Sequence, residues 1–298
     1  MKALFLLLTL FVASSFGQSL SIAKKPDNNY WIQASAPADV PSTLQASENL
    51  HLWVDINSAV PQDLSFQFNN TDVTTRFIRL TPTPPEPPPI RVVLLGDSMV
   101  AECCGWGQAM PGYFKPSATV LNYAQAWTST KVFLQSEELD KMLLVKPNYV
   151  LMQFGYSDYG PDPDRHSTAQ EFADNLRQII QIVRGFNGIP ILITLHADRQ
   201  WDAAGNLIEW DSPFNTITRD VAAEQHTPIV DLYKLSVELF KKLGQSGCAF
   251  MTYNPGNPAD GLHVSPLGAV YMSQLIAKAL PDELGPYLLG VLDPPPKP

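Results

Sequence analysis

The sequence predicts an α/β protein, a three-layer αβα sandwich with a five-stranded parallel sheet of flavodoxin-like type, preceded by a small all-β sandwich domain. Three observations predict this. Apolar runs alternate with helical segments in the longer part of the chain, short period-two runs fill the shorter part, and a proline-rich stretch separates the two. At 298 residues, with 45% hydrophobic and 16% charged residues, the chain can bury both cores.

Residues 1–17 have the pattern of a secretory signal peptide. Lys2 precedes an apolar run that ends at Ala13, and small residues lead to Gly17, where cleavage is expected. The apolar run is about ten residues long, whereas a membrane-spanning helix needs about 20. We therefore expect a secreted or periplasmic protein that is not inserted in a membrane after cleavage.

Residues 18–80 predict the small β-sandwich domain. Runs such as 30–33 and 66–68 alternate apolar and polar side chains, which is typical of strands with one buried face. The following segment, 81–89, is rich in proline and favours an extended polyproline II conformation. We therefore expect a semi-rigid linker that holds the two domains in a limited set of orientations.

Residues 90–290 predict the larger domain, followed by a disordered tail at 291–298. The predicted strands are 91–95, 119–122, 149–154, 190–195 and 228–230. The predicted helices are 131–144, 168–186, 214–224, 235–243 and 266–280. This alternation predicts a parallel sheet with helices on both faces, because parallel strands are joined by crossover helices.

Two short segments, far apart in the larger domain, supply the side chains of a Ser/His/Asp triad. Gly96-Asp97-Ser98 follows the first predicted strand, at the sheet edge where open α/β folds bind ligands. Asp260 and His263 lie just before the last predicted helix. A serine hydroxyl needs an imidazole to accept its proton and a carboxylate to orient that imidazole. We therefore predict Ser98 as nucleophile, His263 as base and then acid, and Asp260 as its orienting group.

Each segment alone is ordinary, since Gly-Asp-Ser is a common turn and Asp-x-x-His can be a helix cap with a surface histidine. Their order and context resemble the GDSL or SGNH hydrolases, and most closely the rhamnogalacturonan acetylesterases, from about Ile90 to Leu280. The blocks that carry the resemblance are 96–101, 105–108, 122–124, 153–158 and 260–269. The resemblance implies a secreted serine esterase that removes O-acyl groups, with acetyl expected, from a polysaccharide or oligosaccharide.

Two positions depart from the family pattern. The family usually has glycine where this chain has Trp127 and asparagine where it has Ser157, and both positions resemble those that form the oxyanion hole with the amide of Ser98. The backbone amide survives at Trp127 if its φ is negative, but Ser157 lacks a side-chain amide. Because the loss of one such donor costs about 10²–10³ in rate, a weakened or inactive carbohydrate-binding protein is an alternative.

Other functions are less favoured. A lipase or lysophospholipase is a second alternative, but no long apolar lid sequence supports it. The net charge of -9 argues against a nucleic-acid partner, and no residue spacing indicates a metal site or a cofactor. We expect a monomer that binds an acylated carbohydrate. His196, at the end of the fourth predicted strand, is expected to contact the substrate with Trp127 and Tyr156, while Asp97 and Asp158 are expected to be structural.

The chain has three cysteines, Cys103, Cys104 and Cys248. A disulfide between adjacent cysteines is strained, and an exported protein meets an oxidising compartment. The sequence therefore favours a bridge from Cys248 to Cys103 or Cys104. The alternative is three buried thiols.

Overall fold

The structure is a computed structural model. It describes residues 87–254, 257 and 260–289 in full, and the backbone of six strands between residues 19 and 82. The predicted signal peptide and the predicted tail lie outside the described residues, as do residues 83–86 of the predicted linker. The chain divides into two compact units, Met1–Glu86 and Pro87–Pro298.

The first unit contains two three-stranded antiparallel sheets, with orders β1-β2-β5 and β4-β3-β6. Their strands are β1 (Ser19–Lys24), β2 (Tyr30–Ser35), β3 (Ser42–Ser47), β4 (Val54–Asn57), β5 (Leu64–Phe68) and β6 (Phe77–Pro82). Strand β6 enters the predicted linker, because Thr81 and Pro82 pair with Thr43 and Ser42. The packing of the two sheets into a sandwich stays a prediction.

The second unit is built on a five-stranded parallel sheet of order β11-β10-β9-β7-β8. Its strands are β7 (Ile90–Gly96), β8 (Ala118–Asn122), β9 (Tyr149–Gln153), β10 (Ile189–Ile193) and β11 (Ile229–Val230). Numbered from β7, this order is 2-1-3-4-5, the flavodoxin-like order that the sequence predicted. Strand β10 ends two residues before the predicted boundary, because the amide and carbonyl of Leu195 bond to the side chain of Asn215.

Seven α-helices connect or follow these strands in the second unit, where the structure describes it. They are α1 (Thr130–Phe133), α2 (Glu137–Val145), α3 (Tyr156–Tyr159), α4 (Ala169–Gly185), α5 (Pro213–Glu224), α6 (Leu232–Gly247) and α7 (Pro266–Ala279). The prediction of a single helix at 131–144 is wrong. Two helices form instead, and between them the Ser136 hydroxyl donates to Phe133 O at 2.8 Å. Acidic residues then occupy the first turn of α2, which favours a new helix start there.

The sheet separates two hydrophobic cores. Val92 and Leu94 of β7 pack in the core that contains α6 and α7, whereas Val93 and Leu95 pack in the core that contains α4 and α5. This period-two division of one buried strand gives a sheet covered on both faces. The turn that carries Ser98 leaves the carboxyl end of β7, which lies between β8 and β9 at the point where the strand order reverses.

Candidate active site

The turn after β7 places Ser98 at the sheet edge. Its geometry depends on Gly96, where an added Cβ would lie 2.4 Å from Gln153 O and 2.5 Å from Val100 Cγ2. Any larger residue would push β7 away from β9, so this position requires glycine for close approach. Ser98 itself is only partly buried.

The structure brings the three predicted triad residues together. His263 Nε2 lies 2.8 Å from Ser98 Oγ, and His263 Nδ1 lies 2.9 Å from Asp260 Oδ2. A carboxylate only accepts, so Nδ1 carries the proton and Nε2 is free to accept the proton of Ser98. This arrangement can activate a serine nucleophile.

Asp260 is held as a carboxylate by local hydrogen bonds. Its Oδ1 accepts the amides of Leu262 at 3.1 Å and His263 at 3.0 Å, while Oδ2 faces the imidazole. Burial alone would raise the pKa of Asp260, but the bonds from His263 and Leu262 outweigh it and hold that pKa below its usual value. Asp260 is therefore charged at neutral pH, as an orienting group must be.

The loop that carries His263 is fixed by neighbouring segments. Val264 N donates to Cys104 O at 2.8 Å, which ties this loop to the chain just after the nucleophile. Arg199 N donates to Gly261 O at 3.0 Å, and Arg199 Nη2 donates to His263 O at 2.7 Å. No local sequence pattern pointed to this role for Arg199, because it depends on a contact across 64 residues.

Replacing Arg199 with methionine is expected to lower kcat/KM about 10–100-fold, because His263 loses a charge-assisted bond and can shift relative to Ser98. Arg199 is buried and lies 5.7 Å over the ring of Phe240, so methionine retains much of the packing. The measurement is ester hydrolysis across pH, together with thermal unfolding. Arg199→Lys, which keeps the charge, is expected to be more active than Arg199→Met. If both variants are folded and equally inactive, the positioning role is wrong.

The backbone of Trp127 does not meet the condition of a negative φ. Its φ is 70°, in the left-handed region that glycine adopts freely. Its ring is 71% exposed and lies under the guanidinium of Arg165, 4.6 Å from the ring centroid. This cation–π contact helps to offset the backbone strain. The role of Trp127 in the oxyanion hole stays a prediction.

Ser157 is tied to the nucleophile turn through Asp97. Its amide donates to Asp97 Oδ2 at 3.3 Å, and Asp97 Oδ1 accepts the amide of Met99 at 2.9 Å. Asp97 is fully buried and links the first turn of α3 to the chain on both sides of Ser98. The role of Ser157 as an oxyanion donor stays a prediction.

Asp158 is also buried, and its carboxylate accepts bonds from Thr130 and Ser167.

Burial raises the pKa of Asp97 from 3.8 to about 6, against the opposing effect of its two amide donors. Between about pH 4 and 6 the folded state therefore keeps a proton that the unfolded state has lost, so this group makes the fold less stable as pH rises. Asparagine does not titrate. As pH rises from 4 to 7, the free energy of unfolding of Asp97→Asn is therefore expected to increase relative to that of wild type by on the order of 3 kcal/mol. Urea unfolding at several pH values measures this difference, and a difference that stays constant with pH would contradict it.

His196 and Tyr156 lie beside the triad, both lining a depression next to the loop that carries His263. His196 is buried, and burial lowers its pKa to about 3, so the imidazole is neutral. Burial and nearby carboxylates raise the pKa of Tyr156, which keeps its phenol protonated. Neither side chain therefore competes with His263 as the base. Their contact with substrate stays a prediction.

The predicted bridge from Cys248 is wrong. The structure joins Cys103 to Cys104, and the buried Cys248 thiol donates to Phe240 O at 3.9 Å. Cys248 caps the end of α6 and its side chain is part of the core that contains α6 and α7. The loops that carry the triad are aligned by the hydrogen bonds described above.

Two further properties of the described residues bear on the predicted functions. In the part of the chain that the structure describes, no group of three or more His, Cys, Asp or Glu side chains could hold a metal ion. None of the described helices combines the length and the apolar character that a membrane span requires.

Comparison with known proteins places the chain among ester hydrolases. Residues 94–270, more than half of the chain, match the model of the GDSL-like Lipase/Acylhydrolase family. The chain is 28% identical over 216 residues to the rhamnogalacturonan acetylesterase RhgT of Bacillus subtilis, a match that covers 66% of this chain and 91% of RhgT. It is 26% identical over 204 residues to the probable rhamnogalacturonan acetylesterase YesY of the same organism, with coverages of 65% and 93%.

Solved structures show the same fold. The protein YXIM of Bacillus subtilis superposes with a TM-score of 0.59 at 18% identity, covering 89% of this chain and 83% of that protein. A variant of Axe2, an acetyl-xylooligosaccharide esterase from Geobacillus stearothermophilus, superposes with a TM-score of 0.51 at 15% identity, with coverages of 71% and 99%. The predicted α/β architecture with a five-stranded parallel sheet is confirmed.

Proposed function

The chain belongs to the GDSL-like Lipase/Acylhydrolase family, and from this premise we propose that it is an exported serine esterase that removes O-acetyl groups from a carbohydrate. One observation carries the proposal, the continuous hydrogen-bonded path from Ser98 Oγ through His263 to Asp260. The names of the curated relatives support the acetyl group and the carbohydrate. The signal-like pattern at residues 1–17 supports export.

The geometry supports a two-step reaction. His263 accepts the proton of Ser98 while Oγ attacks the ester carbonyl, and the resulting imidazolium is stabilised by Asp260. The imidazolium then donates its proton to the sugar oxygen as the bond between that oxygen and the acyl carbon breaks, so the sugar leaves as the alcohol and the acetyl group stays on Ser98. In the second step His263 activates a water that attacks the acetyl-serine, releasing acetate and restoring the enzyme. Amides of Ser98 and Trp127, with Ser157, are the proposed donors to the oxyanion in both steps.

A weakened or inactive carbohydrate-binding protein is the second candidate. It is favoured by Ser157, whose short hydroxyl replaces the amide that the family places there, and by the strained backbone of Trp127. A third candidate, a lipase or lysophospholipase, would act on long acyl chains. The three candidates differ in what they hydrolyse, so a substrate series separates them.

The experiment compares p-nitrophenyl acetate, butyrate and decanoate with acetate release from partially acetylated oligosaccharides. The proposed function predicts the highest kcat/KM on acetate and measurable release from at least one acetylated sugar. Hydrolysis that increases with chain length would support a lipase. No hydrolysis of any ester, by protein that binds the sugar, would support the inactive candidate.

Replacing Ser157 with asparagine is expected to raise kcat about tenfold, because the longer amide restores a fixed donor to the oxyanion. That gain corresponds to about 1.4 kcal/mol of transition-state stabilisation. Ser157 is partly exposed, which leaves room for the larger side chain. Steady-state kinetics on p-nitrophenyl acetate measures it. An unchanged or lower kcat would mean that the pocket is built around serine, and would contradict the assignment of Ser157 as a weakened donor.

A further inference from the structure

A disulfide joins two adjacent cysteines of different exposure close to the nucleophile. Cys103 is exposed and Cys104 is buried, and their sulfur atoms are bonded to each other. Cys104 follows Ser98 by six residues, in the segment that leaves the carboxyl end of β7. The chemistry proposed above uses neither cysteine.

The buried cysteine of the pair contacts both segments that carry the triad. Cys104 Sγ lies 3.7 Å from the carbonyl oxygen of Ser98, and Cys104 O accepts the amide of Val264 at 2.8 Å. Val264 directly follows His263, so Cys104 holds the backbone beside the base while its sulfur touches the backbone of the nucleophile. A shift of Cys104 would therefore change the separation of Ser98 Oγ and His263 Nε2, which is 2.8 Å.

The disulfide restricts the backbone just before the Cys104 carbonyl. A bond between adjacent cysteines closes a ring that includes the peptide unit between them, so ψ of Cys103 and φ of Cys104 cannot turn freely. Opening the ring releases both torsions, and the Cys104 carbonyl is then less firmly held towards Val264. The Cys104 thiol that forms can also donate to the Ser98 carbonyl. The redox state of the pair is thereby coupled to the geometry of the triad.

Cys103 is the cysteine that a thiol from solution can approach, because it is exposed. The thiolate of a dithiol attacks Cys103 Sγ, the S–S bond breaks, and Cys104 leaves as a thiolate that takes up the proton released by the attacking thiol. The second thiol of the reductant then displaces Cys103 from the mixed disulfide in the same way. The protein disulfide is reduced to two thiols, and the dithiol is oxidised to a disulfide.

We propose that Cys103–Cys104 is a site of thiol–disulfide exchange with dithiol reductants, and that the oxidised pair holds the esterase in its more active form. The inference rests on the proposed function and adds a redox control to it. The proposed export brings the chain into an oxidising compartment, which favours the disulfide. Cys248 takes no part in the exchange, because its side chain is buried in the core.

The first test counts the thiols of the protein before and after the folded protein is treated with dithiothreitol in the absence of air. Each sample is acidified, freed of reductant, denatured and alkylated, and mass spectrometry counts the alkylated cysteines. One alkylated cysteine, Cys248, is expected before treatment and three after it, because the dithiol opens the Cys103–Cys104 bond. Three before treatment, or one after it, would overturn the exchange site.

The second test measures kcat/KM on p-nitrophenyl acetate after the dithiothreitol has been removed, since free thiols cleave this ester themselves. Reduced wild type is expected to be about tenfold less active than oxidised wild type, because His263 is less well aligned with Ser98. Reoxidation should restore the activity. Equal activity of the two forms would overturn the redox control. Oxidised protein that hydrolyses no ester would instead be a failure of the proposed function, and the thiol count would still decide the exchange site.

Cys103→Ser separates the loss of the disulfide from other effects of the reductant. This variant cannot form the bond, so it should have the activity of reduced wild type and no response to dithiothreitol. Cys248→Ala keeps the pair and is the matched control, which should respond as wild type does. Thermal unfolding shows whether each variant is folded. If folded Cys103→Ser were as active as oxidised wild type, control by the pair would be wrong. If Cys103→Ser did not fold, the comparison of reduced with oxidised wild type would decide alone.

Discussion

Replacing Ser98 with alanine is expected to lower kcat on p-nitrophenyl acetate by about 10⁵–10⁶-fold. The loss is this large because Oγ is the only atom placed to attack within 2.8 Å of His263 Nε2 in the described site. Neither His263 nor Asp260 can form the covalent intermediate in its place. A discontinuous assay at high enzyme concentration measures the residual rate, which is compared with the rate of spontaneous hydrolysis.

Folding should be unaffected by this change, because Ser98 is partly exposed and its hydroxyl fills no core position. Ser246→Ala is a matched control, since Ser246 is exposed at the end of α6. A serine-directed organophosphonate should label Ser98 in wild type and nothing in Ser98→Ala. Labelling of a different serine, or retained activity in the alanine variant with normal thermal unfolding, would refute the nucleophile.

Replacing Asp260 with asparagine is expected to lower kcat about 10⁴-fold while leaving the loop in place. Asparagine Oδ1 can still accept the amides of Leu262 and His263. Its Nδ2, however, would donate to His263 Nδ1 and force the imidazole proton onto Nε2. That nitrogen could then no longer accept the proton of Ser98.

The control for Asp260→Asn is Asp202→Asn. Asp202 also caps its own turn, accepting the amides of Ala204 and Asn206, but it lies in an exposed loop outside the triad. Both variants should unfold at similar temperatures, and only Asp260→Asn should lose activity. If Asp260→Asn retained a tenth or more of the wild-type kcat, orientation of His263 would have to be assigned to another group.

Local sequence was sufficient to predict the sheet, whereas the triad assignment also depended on the order and context of two segments that resemble the GDSL or SGNH hydrolases. Apolar runs such as that of β7 have few other ways to be buried, and Gly96 and Asp260 shape their turns through contacts within a few residues or with the adjacent strand. Boundaries that depend on a distant side chain were less accurate. The end of β10, for example, is set by Asn215, which lies 20 residues beyond Leu195.

The surroundings of the triad could not be predicted for the same reason. Arg199 reaches His263 across 64 residues, only after β10 and α7 have docked. The left-handed φ of Trp127 went against the intrinsic preference of tryptophan, so propensity pointed in the wrong direction. Cys103 and Cys104 are adjacent in sequence, and the strain argument excluded the pair that the structure joins.

The long sequence separation of Ser98 and His263 has a consequence for the order in which the parts of the site are assembled. Ser98 and His263 are 165 residues apart, and the last strand of the sheet, β11, ends at Val230. A chain that emerges from the ribosome can therefore complete its sheet before His263 has been synthesised. His263 reaches Ser98 only when the segment before α7 docks beside Cys104, so the triad is the last part of this unit to be assembled.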